Sequence, residues 1–224
     1  MISCIILAGG KSSRMKPDKT AKEIKGKDAK GKAAKVKKDK PEGSTLKAFM
    51  ILNEKPLIAY VIETVKKFFP EIIIVMKTKT QKNKMERLIS SPRISVIADE
   101  YKTYSPILGI KAGLKYAGGE SVFVVGCDTP FINGVTIFRM MNKVKKGIDC
   151  VVPSKAGEHQ PLCAIYKRDV FKGCKPNESL HDLIERSKRV LIPIFNENEF
   201  FNINTPEDLE QAEKILEEMK ANKK

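Results

Sequence analysis

The sequence predicts an α/β protein: a Rossmann-like three-layer sandwich with a mostly parallel central sheet. Three observations carry this reading. The runs Ile2–Ala8, Ile72–Met76, Ile94–Ala98 and Ser121–Gly126 are apolar without alternation, the pattern of strands buried on both faces. Helical segments separate strands through about residue 150, as in a doubly wound sheet. Three of these runs stop at Gly9-Gly10, Asp99 and Cys127-Asp128, residues suited to the ligand-binding carboxyl edge of such a sheet.

The elements follow in order. Ile2–Ala8 is the first strand, ended by the two glycines. Residues 16–45 hold eleven lysines and five acids, few large apolar residues and three glycines, so a flexible, lysine-rich insertion is expected at about 20–45. Phe49–Leu52 reads as a short strand or turn. Pro56 opens a helix to about Phe68, with Leu57, Tyr60, Val61, Thr64 and Val65 forming its apolar stripe. The strand Ile72–Met76 precedes a polar helix at 80–90, and Ile94–Ala98 precedes a helix over Gly109–Tyr116 that Gly118-Gly119 stops. After Ser121–Gly126 come a helix at 134–146, strands at Cys150–Val152 and Leu162–Tyr166, a short helix at 179–187 and a strand at Val190–Ile194. Thr205-Pro206-Glu207-Asp208 supplies an N-cap, a first-turn proline and acids for a helix reaching about Met219. With 224 residues, 42% of them hydrophobic, one domain spanning 1–224 is the simplest organisation.

The net charge of +15 favours a polyanionic partner: nucleic acid, a membrane surface or a phosphorylated small molecule. There is no Trp, and no stretch interleaves aromatics with Arg as single-strand binders do, so nucleic acid is disfavoured. No apolar run reaches 18 residues, so no membrane span is expected. Cys4, Cys127, Cys150, Cys163 and Cys174 are odd in number and widely spaced, and four lie in or beside apolar segments. They read as buried thiols of a reducing compartment rather than disulfides or a zinc site. The N-terminus runs directly into a strand with no signal peptide, so a cytoplasmic protein is expected.

The candidate site residues lie at strand ends. In Leu7-Ala8-Gly9-Gly10-Lys11-Ser12-Ser13-Arg14, the glycines admit close ligand approach. The following amides, hydroxyls and cations form an anion nest. It matches neither the Walker nor the GxGxxG pattern, and an ordinary strand-to-helix turn would use the same glycines. Asp128 follows the strongest strand and is placed either to hold Mg²⁺ against phosphates or to cap a helix. Asp99 ends a neighbouring strand, as a ligand contact or a turn residue. Asn202 and Asn204 flank Ile203 on an extended segment, so both amides face one way, toward a ligand or toward the next helix. His159 and Gln160 are polar beside an apolar strand; a surface or substrate-orienting role fits them better than catalysis. No nucleophile elbow is present.

Four segments together resemble the molybdenum cofactor guanylyltransferase family, within the nucleotide-diphospho-sugar transferase-like superfamily. They are Leu7-Ala-Gly-Gly-Lys-Ser-Ser-Arg-Met15, Gly126-Cys-Asp-Thr-Pro-Phe-Ile132, Gln160-Pro-Leu-Cys-Ala-Ile-Tyr166 and Asn202-Ile-Asn-Thr-Pro-Glu-Asp-Leu209. The resemblance implies transfer of GMP from GTP to the phosphate of molybdopterin. In it the first loop binds the triphosphate and base, Asp128 holds Mg²⁺, and Arg14 and a lysine offset phosphate charge. Asp99 helps position the nucleotide, Asn202 or Asn204 completes the metal or substrate side, and His159, Gln160 and Pro161 face the pterin. Alternatives of the same class use CTP, cobinamide phosphate or a sugar phosphate. A monomer or weak homo-oligomer is expected. The sequence departs from the family pattern twice. The Gly-x-Asp-Lys-Ala stretch is split between Met15-Lys-Pro-Asp18-Lys19 and Lys47-Ala48-Phe49, so either Lys19, favoured by its neighbour Asp18, or Lys47 is the phosphate lysine. In Ser105-Pro106-Ile-Leu-Gly109, a serine stands where the family more often has glycine.

Overall fold

The computed structural model describes residues 1–10, 46–101 and 103–221. The insertion at about 20–45 lies outside them. The elements run β1 (Ile2–Leu7), β2 (Ile51–Leu52), β3 (Lys55–Pro56), α1 (Leu57–Val65), β4 (Ile72–Met76), α2 (Lys79–Glu86), β5 (Ile94–Ala98) and α3 (Pro106–Leu114). Then follow β6 (Ser121–Gly126), α4 (Gly134–Met141), β7 (Cys150–Lys155), β8 (Glu158–His159), β9 (Cys163–Lys167), α5 (Leu180–Glu185), β10 (Arg189–Pro193) and α6 (Pro206–Ala221).

The main sheet has the order β10-β7-β9-β6-β1-β4-β5, with β8 paired to β7. β1 is parallel to both β4 and β6, β4 to β5, and β10 to β7; β9 runs antiparallel to its two neighbours, β6 and β7, and the short β8 antiparallel to β7. This is the three-layer, mostly parallel fold the sequence predicts. Side chains alternate between two apolar layers. Cys4, Ile6, Ile72, Ile74 and Met76 pack on one face with Val61 and Val65 of α1 and Ile137 and Met140 of α4. Ile5, Ile73 and Val75 pack on the other with Ile107 and Ile110 of α3 and Leu183 and Ile184 of α5. Because both faces are covered, the central strands carry no polar alternation. A third cluster joins Leu52, Leu57, Phe131 and Ile203 to Ala212 and Ile215 of α6, closing the fold beside the sheet's carboxyl edge.

Several boundaries differ from the sequence reading. The 49–52 segment is a 3-10 turn, Lys47–Phe49, followed by a two-residue strand that pairs with β3. The hairpin turns on Asn53 and Glu54, both at positive φ (45° and 70°), as a tight two-residue turn requires. Helix α3 begins three residues earlier than Gly109, at Pro106: Ser105-Pro106 is an N-cap and first-turn proline rather than a loop. Helices α1, α2 and α4 end sooner than periodicity suggests. Their last residues tighten into i→i+3 bonds, such as Lys143 N–H to Met140 O at 3.0 Å. Close packing sets α3 against β1: a β-carbon at Gly113 would meet Ile5 Cδ1 at 2.9 Å. That approach brings the start of α3 to the edge where β1 ends.

Candidate active site

β1 lies between β4, which continues the sheet to one side, and β6, which begins the other. Its carboxyl end is therefore the switch point where open α/β sheets bind ligands. Backbone bonds lock the strand ends there: Ala8 N–H to Val75 O (2.9 Å), Cys127 N–H to Leu7 O (3.1 Å) and Asp99 N–H to Met76 O (2.7 Å). Gly9 lies so close to the end of β4 that a β-carbon would sit 2.9 Å from Lys77 N, so only glycine leaves this corner open. A cavity of about 250 Å³ occupies the edge, lined by Leu7, Gly9, Gly10, Lys47, Lys77, Asp99, Ser105 and Asp128, with apolar walls from Val75, Pro106 and Gly109.

Asp128 sits just past β6. Its carboxylate Oδ2 accepts from Lys47 Nζ at 3.2 Å, and the same ammonium donates in a short bond to Asn204 Oδ1. The pair is sheltered, with side-chain exposures of 13% for Lys47 and 24% for Asp128. The main chain of Asp128 is tied as well, its carbonyl accepting from Ile203 N–H at 3.0 Å. Ile203 is fully buried, so the Asn202–Asn204 segment is pinned against Asp128 by its middle residue. Asn202 Oδ1 in turn accepts from Thr129 Oγ1 at 3.0 Å. On this side a second cavity, of about 310 Å³, is lined by Asp128, Thr129, Gln160, Pro161, Phe200, Asn202 and Asn204, among others. Asp128 and Leu162 belong to both cavities.

Most predicted positions converge here. Leu7, Gly9, Gly10, Lys47, Asp99 and Asp128 meet at the first cavity, and Asp128, Gln160, Asn202 and Asn204 at the second. Lys11, Ser12, Ser13, Arg14 and Lys19 lie outside the described residues. Of the two lysines weighed, Lys47 is the one seen against Asp128. The methyl of Ala8 is fully buried in the core, because alternation along β1 turns it inward, so only its backbone is left to meet a ligand. The expectation that His159 faces the pterin is corrected. Its ring bridges Ser154 Oγ (3.0 Å, at Nδ1) and Glu185 Oε1 (3.1 Å, at Nε2), which anchors β8 instead of facing the cavity. Asn204 does not cap α6; Thr205 and Asp208 do so reciprocally, with Asp208 N–H to Thr205 Oγ1 at 3.1 Å and Thr205 N–H to Asp208 Oδ2 at 2.8 Å. Nor does Asp128 cap α4, whose N-cap is Asn133. Ser105 is accommodated without strain. Its φ of −151° is open to any residue, so the backbone there does not call for glycine.

Two residues escaped the sequence reading. Lys77 follows β4 directly, lines the first cavity and pairs with Asp99 at 2.8 Å. Glu199 is buried behind the second cavity, accepting from Asn133 Nδ2 (2.5 Å) and Thr136 Oγ1 (2.6 Å). Burial, first, pushes its carboxyl above the ordinary range, against the lowering effect of the Thr136 hydrogen bond. Cys127, beside Asp128, is no nucleophile: burial and then the neighbouring carboxylate push its thiol far up.

The donor set suits a hard cation. Among the described residues no cluster of three or more His, Cys, Asp or Glu could cage a metal. Mg²⁺, however, is held by one or two protein oxygens together with substrate phosphates. Asp128 Oδ2 and Asn204 Oδ1 already converge on one cation, the Lys47 ammonium, which stands in for that charge.

The profile of the MobA-like NTP transferase domain matches residues 42–192. A molybdenum cofactor guanylyltransferase of Desulfosudis oleivorans is 30% identical over 188 residues, 78% of this chain and 89% of that protein. Its counterpart from Vibrio campbellii is 30% identical over 222 residues, 93% of each chain. Among solved structures, the molybdopterin-guanine dinucleotide biosynthesis protein A of Archaeoglobus fulgidus superposes with a TM-score of 0.69 at 24% identity, covering 97% of this chain and all of that one. A nucleotidyl transferase of Methanothermobacter gives 0.73 at 16% identity, over 98% and 99% of the two chains. At these identities the structural likenesses speak for the fold.

Proposed function

The chain belongs to the MobA-like NTP transferase family of nucleotidyltransferases, and on that premise we propose that it transfers GMP from GTP to the phosphate of molybdopterin, with Mg²⁺ as cofactor. The observation that carries the proposal is the pair of cavities that meet at Asp128. The nucleotide takes the cavity of Gly9, Gly10, Lys47 and Asp99; the acceptor takes that of Gln160, Asn202 and Asn204. The two substrates then approach from opposite sides of one carboxylate.

The acceptor phosphate oxygen attacks the α-phosphorus, the bond from that phosphorus to the bridging β-oxygen breaks, and pyrophosphate leaves with the electron pair. The nucleophile is already an anion, so no general base is needed, and the protein contributes alignment and charge compensation. Asp128, with Asn204, would hold Mg²⁺, which supplies positive charge against the triphosphate when bound. Lys47 is the described residue whose cation is positioned to offset phosphate charge. The acceptor cavity offers the amides of Gln160 and Asn202 and the hydroxyl of Thr129, and among the described residues no Lys or Arg lines it. Amides that both donate and accept suit a heterocycle such as a pterin better than a second polyanion. Five buried thiols fit a reducing compartment, so we assign the protein to the cytoplasm.

The test is purified protein with Mg²⁺, GTP and molybdopterin, following pyrophosphate release and the dinucleotide product. Absence of both sinks the proposal. Product formed from CTP alone, or on cobinamide phosphate or a sugar phosphate alone, reassigns the substrates within the same reaction class.

A further inference from the structure

We propose that Lys77 is a positioning residue that sets which base the nucleotide cavity accepts, by holding Asp99 as a fixed, acceptor-only wall. The inference rests on the nucleotide-binding reading of that cavity. The strand order β6-β1-β4-β5 lays Asp128, Gly9-Gly10, Lys77 and Asp99 along one edge of the sheet. With neighbouring strands about 4.8 Å apart, Lys77 and Asp99 stand roughly 10–14 Å from the Asp128 end. Phosphates drawn to Lys47 and Asp128 therefore leave the base at the Lys77–Asp99 end.

The Lys77 ammonium has three hydrogens and three acceptors: Asp99 Oδ2 (2.8 Å), Tyr101 O (2.6 Å) and Thr103 O (2.8 Å). It has no donor left for a ligand, so it does not itself bind phosphate or base. It also lies 4.6 Å from the centre of the Tyr104 ring, at the cavity wall. What the lysine does is tie the loop after β5 to the end of β4 and fix the position of the Asp99 carboxylate in a sheltered place. The side chains of Lys77 and Asp99 are 9% and 6% exposed.

Asp99 uses one oxygen for Lys77 and the other for Tyr101 N–H at 2.8 Å. A carboxylate has about four acceptor sites, so roughly two remain, and all that remains accepts. The neighbouring walls from Leu7, Val75, Pro106 and Gly109 offer only apolar side chains or no side chain, and Tyr104 and Ser105 add hydroxyls but no second carboxylate. This end of the cavity therefore selects a base that presents adjacent donors. Guanine does so with N1–H and its 2-amino group. Adenine and cytosine turn an unprotonated ring nitrogen toward the carboxylate beside their amino group. Inosine triphosphate keeps N1–H and lacks the 2-amino group, which makes it the discriminating probe.

The experiment compares binding of GTP and inosine triphosphate, and kcat and KM for GTP, in the wild type and in Lys77→Met. The wild type is expected to prefer GTP by about tenfold, the worth of one hydrogen bond to a charged group. In Lys77→Met the preference falls toward unity, and the loss appears in KM rather than kcat. Thermal melting identifies a Lys77→Met protein that fails to fold. In that case Lys77→Gln, which keeps one donor group and leaves Asp99 intact, carries the test with the same expected loss of preference. A folded Lys77 variant that keeps the wild-type preference overturns the role of Lys77. So does a wild type that binds the two nucleotides equally. A wild type that binds no nucleoside triphosphate overturns the reading of the cavity itself.

Discussion

Gly126→Ala is expected to separate activity from stability. Gly126 is the last residue of β6, and a β-carbon there would fall well inside the 3.0 Å minimum from Asp128 Oδ1, because the aspartate curls back over the glycine. The next contact, Thr129 Oγ1 at 3.6 Å, is ordinary. The carboxylate is the free end of a flexible side chain, so the fold yields cheaply. Alanine in place of a strand glycine gains about 0.5–1 kcal/mol. A displaced aspartate rotamer costs about 0.5–1.5 kcal/mol, leaving net stability within about 1 kcal/mol of wild type. The carboxylate must withdraw by roughly half an ångström or more. The clash falls on Oδ1, and turning the carboxylate away from it also moves Oδ2, which makes the 3.2 Å link to Lys47 at the seam between the cavities. A misplacement on the order of 1 Å costs about 100-fold in rate, or roughly 2.7 kcal/mol of barrier. Pyrophosphate release under single-turnover conditions measures the rate, and urea unfolding measures the stability. Wild-type kcat/KM in a folded variant would refute the role of Asp128's position. A variant several kcal/mol less stable would show that the glycine serves the fold instead.

Three further outcomes are expected. Lys47→Met should lower kcat/KM on the order of 100-fold and tighten Mn²⁺ binding to the nucleotide-free protein, because the ammonium no longer fills the space between Asp128 and Asn204. Electron paramagnetic resonance of free Mn²⁺ reads this directly, and unchanged affinity contradicts the stand-in role. Glu199 has its carboxyl raised by burial, so the folded protein binds that proton more tightly than the unfolded chain. Its charge therefore costs stability as pH climbs above the unfolded value near 4.5, and the cost levels off above the raised value. Glu199→Gln should then gain on the wild type with rising pH in urea titrations; a difference that shrinks with pH reverses the sign and the argument. All five cysteines are buried with their thiols pushed up by burial, that of Cys150 to about 11. A thiol reagent at neutral pH should label them slowly in the native protein and fully after unfolding. Rapid labelling of any one in the native state contradicts its burial.

How much of this was legible beforehand depends on the range of the interaction. The strands Ile72–Met76 and Ser121–Gly126 match their apolar runs residue for residue, because two-sided burial writes itself into consecutive positions; the edge strand Ile94–Ala98 matches too, though Ser95 on it is exposed. Asp128, Asp99 and Gly9 were found because strand ends are visible in a sequence. Lys77 was missed because a lysine after an apolar run resembles a solvated end; its three acceptors come from a loop more than twenty residues away. Lys47 could not be preferred to Lys19 from local pattern. Its claim comes from contact with Asn204, 157 positions distant. Glu199 gave no sequence signal, since its burial depends on Asn133 and Thr136 arriving from α4 and its cap.

The reversal of β9 has an evolutionary consequence. Running against β6, it brings the segment that enters it, Gln160-Pro161-Leu162, to the edge where β6 delivers Asp128. The residues ahead of β9 and those ahead of α6 thus line one cavity, while the ends of β1, β4 and β5 line the other. On the proposed assignment of the two cavities, drift in the C-terminal half retunes the acceptor while the N-terminal half keeps its nucleotide. A lineage with this topology can acquire new acceptors by changing one side of the seam at a time, and chimeras joined after α4 should inherit base choice from one parent and acceptor choice from the other.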